Sequence, residues 1–198
     1  MKNVGSILLF AMCILFIFTL TLFAEEIKYD FRKTNWGMSE DQVKASERGK
    51  IIDFNQNGFS YKDNIAGLDC IIIYQFVENK LYLAEYVFIG EHINQNLWLE
   101  DYQNLREILV RKYGEPTKNS ESWANDAKRE QYNDQKNLGN AIGIGYLAYY
   151  VEWNTPETKI WISLKGNNFD IYLSITYESK ELIEWAQKIL EKEAAKNF

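Results

Sequence analysis

Histidine, cysteine and proline are nearly missing from this chain: one, two and two residues respectively among 198. The lone imidazole, His92, excludes the several His or Cys ligands that a histidine-based zinc centre needs. It also leaves a single base for any Ser-His-Asp arrangement, and no Gly-x-Ser-x-Gly turn presents a serine. Cys13 lies in an apolar N-terminal run, so the body of the chain keeps only Cys70 and forms no internal disulfide. The fold must stand on its core, which a chain of 198 residues is long enough to build. Cys70 sits inside an apolar run and reads as a buried structural thiol. An excess of basic residues is lacking as well: 28 acidic stand against 22 basic, for a net charge of −6. Without a basic face to neutralise phosphates, nucleic acid and an anionic membrane surface are excluded as partners.

What the chain does have begins with an uncharged stretch over residues 3–24, preceded by Lys2 and followed by Glu25 and Glu26. The run Ile7–Phe18 is apolar on every side, which suits a lipid or translocon environment and not water. A basic start, an apolar centre and Ala24 at the end predict a secretory signal peptide over residues 1–24. If uncleaved, residues 3–24 form an N-terminal membrane anchor. Both readings export the body, to the periplasm or the exterior.

Residues 25–198 are expected to form one domain. Ser39 with Gln42 spells a capping box, and Met38 with Val43 a hydrophobic staple, so a helix is predicted over 40–48 with Gly49 as its stop. Short strand Phe59–Lys62 and the hairpin of Leu68–Val77 with Leu81–Ile89 follow. Trp98, Tyr102, Leu105, Leu109 and Tyr113 recur at helical steps and predict a helix over 97–113, ended by Gly114 and Pro116. Residues 115–140 read as a long polar loop with a frayed helix near 126–136. Three strands are then predicted: Ile142–Trp153, Lys159–Lys165 and Phe169–Tyr177. Ser179 caps a final helix with Leu182, Ile183, Ala186, Ile189 and Leu190 on its apolar side. The expected fold class is α+β: an antiparallel sheet of up to six strands built from two pseudo-repeats, about 36–114 and 141–195. Each repeat is a three-stranded meander plus a helix, with the helices packed on one face.

The search for chemistry returns little. Acidic pairs Glu40-Asp41 and Glu100-Asp101 sit near helix starts, where the dipole explains them. Asp126, Glu130 and Asp134 lack the glycine spacing of a calcium loop. Gly139–Gly145 is glycine-rich but has no Lys-Ser/Thr after it, and reads as the bulged start of a strand. No catalytic residue, metal ligand or cofactor is therefore expected. Aromatic residues make up 15% of the chain, and Tyr146, Tyr149, Tyr150, Trp153, Trp161 and Tyr172 gather in the second half. Rigid amphipathic rings anchor interfaces as well as cores. Tyr149, Trp153 and Trp161 are the candidate binding residues.

Trp36-Gly37-Met38-Ser39 followed by Val43 resembles the helix-start motif of uncharacterised exported bacterial proteins. It is also loosely similar to β-lactamase-inhibitor-protein-like folds and to small outer-membrane-assembly lipoproteins. The resemblance implies a non-enzymatic, partner-binding role in the cell envelope and transfers no catalytic residue. The expected function is binding of a protein or peptide partner. Two others stay open: a carrier holding an apolar small molecule between sheet and helices, and a hydrolase using carboxylates.

Overall fold

A computed structural model describes residues 28–55 and 57–196, and the leader expected over residues 1–24 lies outside the described residues. Near the start, Phe31 and Thr34 close a tight turn, with Thr34 Oγ1 donating to the Phe31 carbonyl at 2.7 Å. The capping box forms as predicted: Gln42 N–H donates to Ser39 Oγ at 3.3 Å, and Ser39 N–H to Gln42 Oε1 at 2.8 Å. Helix α1 spans Glu40–Ser46. It ends before Gly49 because Glu47 is already extended (φ −97°) and Ser46 Oγ donates to the Val43 carbonyl.

Four strands follow: β1 (Ile51–Asn55), β2 (Gly58–Ile65), β3 (Leu68–Val77) and β4 (Lys80–Phe88). Helix α2 (Asn96–Tyr113) then crosses to the second half. There stand β5 (Lys118–Trp123), short helices α3 (Asp126–Tyr132) and α4 (Leu138–Ile144), β6 (Leu147–Asn154), β7 (Thr158–Asn167) and β8 (Asp170–Ser179). Helix α5 (Ile183–Ala195) closes the chain, with Ser179 Oγ accepting from Leu182 N–H at 3.1 Å.

The class is α+β, with one antiparallel sheet of eight strands in the order β1-β2-β3-β4-β8-β7-β6-β5. The sheet is thus two four-stranded meanders joined along β4 and β8. Eight strands replace the expected maximum of six. The extra two are the outer strands β1, only five residues long with a register shift between Ile51 and Asp53, and β5, whose polar residues hide the two-residue period. Nor do the helices share one face. The main core lies under Phe31, α1, α2 and α4, with Tyr74, Phe88, Trp153, Ile162 and Leu173 in it. Helix α5 covers the opposite face, where Ala186, Ile183 and Leu190 pack on Val77 and Tyr82. The two halves therefore do not present equivalent meander-plus-helix units.

Register fixes which residues look away from the main core. Ile160, Ile162 and Leu164 of β7 pair with Tyr177, Ile175 and Leu173 of β8 on the core face. Trp161, Ser163 and Lys165 pair with Thr176, Ser174 and Tyr172 on the other side, because neighbours on a strand point oppositely. On β4, Ala84 and Tyr86 go inward with Tyr177 and Ile175, leaving Leu83, Glu85 and Val87 outward. Helix α5 covers the β3–β4 end of this outward face; the stretch over β4, β8 and β7 stays open.

Candidate functional site

The open stretch carries a trough of about 590 Å³. Its walls and floor include Glu85, Trp161, Ser163, Tyr172, Ser174 and Thr176. The depression has a simple cause in the sequence. Ser163 and Ser174 stand opposite each other, with their hydroxyls 3.3 Å apart, where two larger side chains would fill the space. Trp161 stands at one end of this serine floor and Tyr172 at the other.

Glu85 is the polar centre. Its Oε1 accepts from Tyr172 Oη at 3.0 Å and from Thr176 Oγ1 at 2.9 Å. Among the described residues, no Lys, Arg or His lies within ion-pair distance of Glu85, and Oε2 accepts from no protein donor. Burial, then the Glu85 charge and hydrogen bond, push the Tyr172 phenol up to about 12, so it remains a donor throughout the physiological range. Lys165 Nζ stands over the Tyr172 ring, 5.5 Å from its centroid.

A second polar cluster adjoins Trp161. Glu152 Oε2 accepts from Tyr150 Oη at 2.7 Å, its Oε1 accepts from Asn154 Nδ2 at 2.8 Å, and Lys159 Nζ lies 3.6 Å away. Burial pulls the Glu152 carboxyl upward, but these hydrogen bonds and Lys159 outweigh it and hold the group below its usual value. Lys159 also sits over the Trp161 ring at 5.4 Å. Glu178, further along β8, is half-buried; burial raises its carboxyl, Lys159 opposes this and Glu152 adds to it.

At the far end, Asp170 and Tyr172 are shared with a cleft of about 580 Å³. Ile89, Ile93, Trp98 and Phe169 give it an apolar part, and Glu91, His92 and Gln95 a polar one. Phe169 forms the β7–β8 turn with Asn168, both at positive φ (67° and 50°), and its side chain is 52% exposed. A bulky residue in left-handed backbone is rare and costs energy, and such strain gathers at functional positions.

The three sequence-derived candidates are not brought together. Trp153 is buried, with its indole N–H donating to the Gly114 carbonyl at 2.9 Å. Tyr149 lies on the core side, its ring stacked on Tyr102 at 5.3 Å, and burial pushes its phenol up to about 12. Only Trp161 reaches the trough. Glu85, Tyr172 and Thr176 were missed as a set because they sit on two strands far apart in sequence. The available signal was strand period: Glu85 is the one charged residue within β4 after Lys80, and Trp161-x-Ser163-x-Lys165 faces away from Ile160, Ile162 and Leu164.

The other candidates are placed as follows. Cys70 is buried, and burial first, then Asp63, pushes its thiol up to about 11. His92 Nε2 lies 2.7 Å from Asp101 Oδ2 and edge-on to Trp98. Gly139–Gly145, read as the start of a strand, is instead helix α4 and its cap, with Gly145 at φ 93°. Among the described residues, no three His, Cys, Asp or Glu side chains are grouped to hold a metal ion. Nor is any described helix long and apolar enough to cross a membrane. No family model, no curated protein and no solved structure matches the chain.

Proposed function

We propose that this chain is an exported, non-enzymatic protein of the cell envelope that binds a protein or peptide partner across the open face of its sheet. One observation carries the reading: Trp161 and Tyr172 bound a trough that runs, through Asp170 and Tyr172, into the partly apolar cleft beside Phe169. Amphipathic rings flanking hydroxyls and a carboxylate suit a polypeptide, which offers backbone groups and side chains together. The uncharged stretch over residues 3–24 supports export. An internal duplication fits the same reading once its second unit, expected over about 141–195, is extended back to take in β5; β1 already falls within the first, about 36–114. The trough then lies where the last strand of each meander, β4 or β8, meets the other. Trp161 touches the partner, whereas Tyr149 and Trp153 hold β6 against α2 and Gly114.

Site-specific photocrosslinking in the native envelope tests the reading. A photoreactive residue at position 161 or 172 is expected to capture the same discrete species, while one at Arg111, exposed on α2, captures none. Equal labelling from all three positions would count against the open face.

A further inference from the structure

Resting on that reading, we infer that the trough receives a cationic side chain of the partner, an arginine or lysine, on Glu85. The carboxylate is preorganised and incomplete. Tyr172 Oη and Thr176 Oγ1 both donate to Oε1, fixing the group's orientation, while Oε2 has no donor among the described residues. Among the described residues, no basic side chain lies within ion-pair distance of it. A carboxylate held by two hydroxyls in a groove is poised for a charge-assisted hydrogen bond from outside. Tyr172 and Trp161 line the trough on either side, each already carrying a lysine of this chain over its ring, so Glu85 is the group left to meet the cation.

Charge around the trough agrees. Glu85 and Asp170 line it against Lys165, and Lys165 is engaged over the Tyr172 ring. Lys159, beyond Trp161, is matched by Glu152 and faces Glu178 across the β7–β8 pairing. A second copy of this chain would bring a net charge of −6 onto the same acids, so self-association is disfavoured. The adjoining cleft of Ile89, Ile93 and Phe169 then takes an apolar residue next to the cation. The partner segment is thus a basic residue flanked by a bulky apolar one.

The probe is a short peptide, acetyl-Gly-Phe-Arg-Phe-Gly-amide, against the same peptide with citrulline in place of arginine. Citrulline keeps the shape and the Nε–H and one NH2 donor, and replaces the charged second NH2 by a carbonyl oxygen. Amide and indole shifts in two-dimensional NMR report binding. The arginine peptide is expected to bind about tenfold more tightly than the citrulline peptide. Glu85→Gln should erase that ratio while keeping the spectrum dispersed, and Lys165→Gln should increase arginine affinity a few-fold. Equal affinity for the two peptides, an unchanged ratio in Glu85→Gln, or no shifts with millimolar arginine peptide would each overturn the inference. Crosslinks from positions 161 and 172 that persist in any of those cases would leave the partner face standing and remove only the cation.

Discussion

Trp153 and Trp161 are chemically alike and end on opposite sides of one sheet. Trp153 pairs with Ile160 across β6 and β7, so Trp161, one step further, must face away. The consequences for stability differ accordingly. Trp153→Phe strands the Gly114 carbonyl and leaves a gap in the core, and should cost about 1–3 kcal/mol. Trp161→Phe, at a half-buried residue outside the main core, should cost less, about 0.5 kcal/mol, while weakening partner capture. Urea midpoints of the two variants check the contrast. Glu178 gives a pH-dependent counterpart. Its carboxyl is raised above the ordinary 4.5, first by burial and also by Glu152, against the pull of Lys159. The folded state thus prefers the neutral acid. That contribution is whole below the ordinary value and is lost as pH rises through the raised one. Glu178→Gln is therefore expected to be the more stable protein at about pH 7 and to lose that advantage at about pH 4. Denaturation curves at both pH values decide it, and an advantage that grows on acidification would contradict the sign.

At the scale of elements, the hairpins and α4 show what the sequence exposes and what it hides. Strands β7 and β8 were legible because apolar and polar residues alternate along them, β3 and β4 as two long apolar runs around the tight polar turn Glu78-Asn79-Lys80, and α2 and the capping box of α1 from their spacing. The turns were only half legible. Ala66-Gly67, Glu78-Asn79 and Asn168-Phe169 all hold positive φ, yet only Gly67 and the asparagines suit that backbone. Asn79 is further committed, since its Oδ1 accepts from Glu40 N–H at 2.9 Å at the start of α1. Glu78→Asn should therefore stabilise by about 0.5–1 kcal/mol without disturbing that contact, measurable as a raised urea midpoint. Helix α4 was not legible at all. Leu-Gly-Asn-Ala-Ile-Gly-Ile is a poor helix former, and only close packing makes it one. A Cβ on Gly166 of β7 would come within 2.4 Å of the Ile142 carbonyl, and one on Gly139 within 2.3 Å of the Asn96 backbone nitrogen. The glycines that weaken the local signal are the ones that let α4 lie against β7 and α2. Gly166→Ala should cost about 1–3 kcal/mol through overpacking, with faster hydrogen exchange confined to Leu138–Ile144 and the β7–β8 turn.

The whole molecule turns on one seam. Strand β4 pairs with β3 on one side and with β8 on the other, from Leu83 opposite Glu178 to Phe88 opposite Leu173. Other links cross between the halves. Trp36 Nε1 donates to Thr158 Oγ1 at 2.9 Å, and the Phe31 ring lies 5.5 Å from Tyr74 of the first half and 5.0 Å from Tyr177 of the second. The trough depends on the same seam, since Glu85 comes from the first half and Tyr172 and Thr176 from the second. Neither half alone could keep it. A fragment of residues 28–114 would bare the β4 edge together with Phe88 and Ala84, and an unpaired edge beside apolar surface favours association over folding. Small units also bury too little of their surface to offset chain entropy. The full chain is therefore expected to unfold in one step, with tryptophan fluorescence and far-ultraviolet circular dichroism tracing the same urea curve. The 28–114 fragment should give a collapsed amide spectrum and recover dispersion only on mixing with residues 115–196. Dispersed amides from the isolated fragment would mean that the halves fold independently, and that the Glu85–Tyr172–Thr176 arrangement is a docking contact between two folded units and not part of one core.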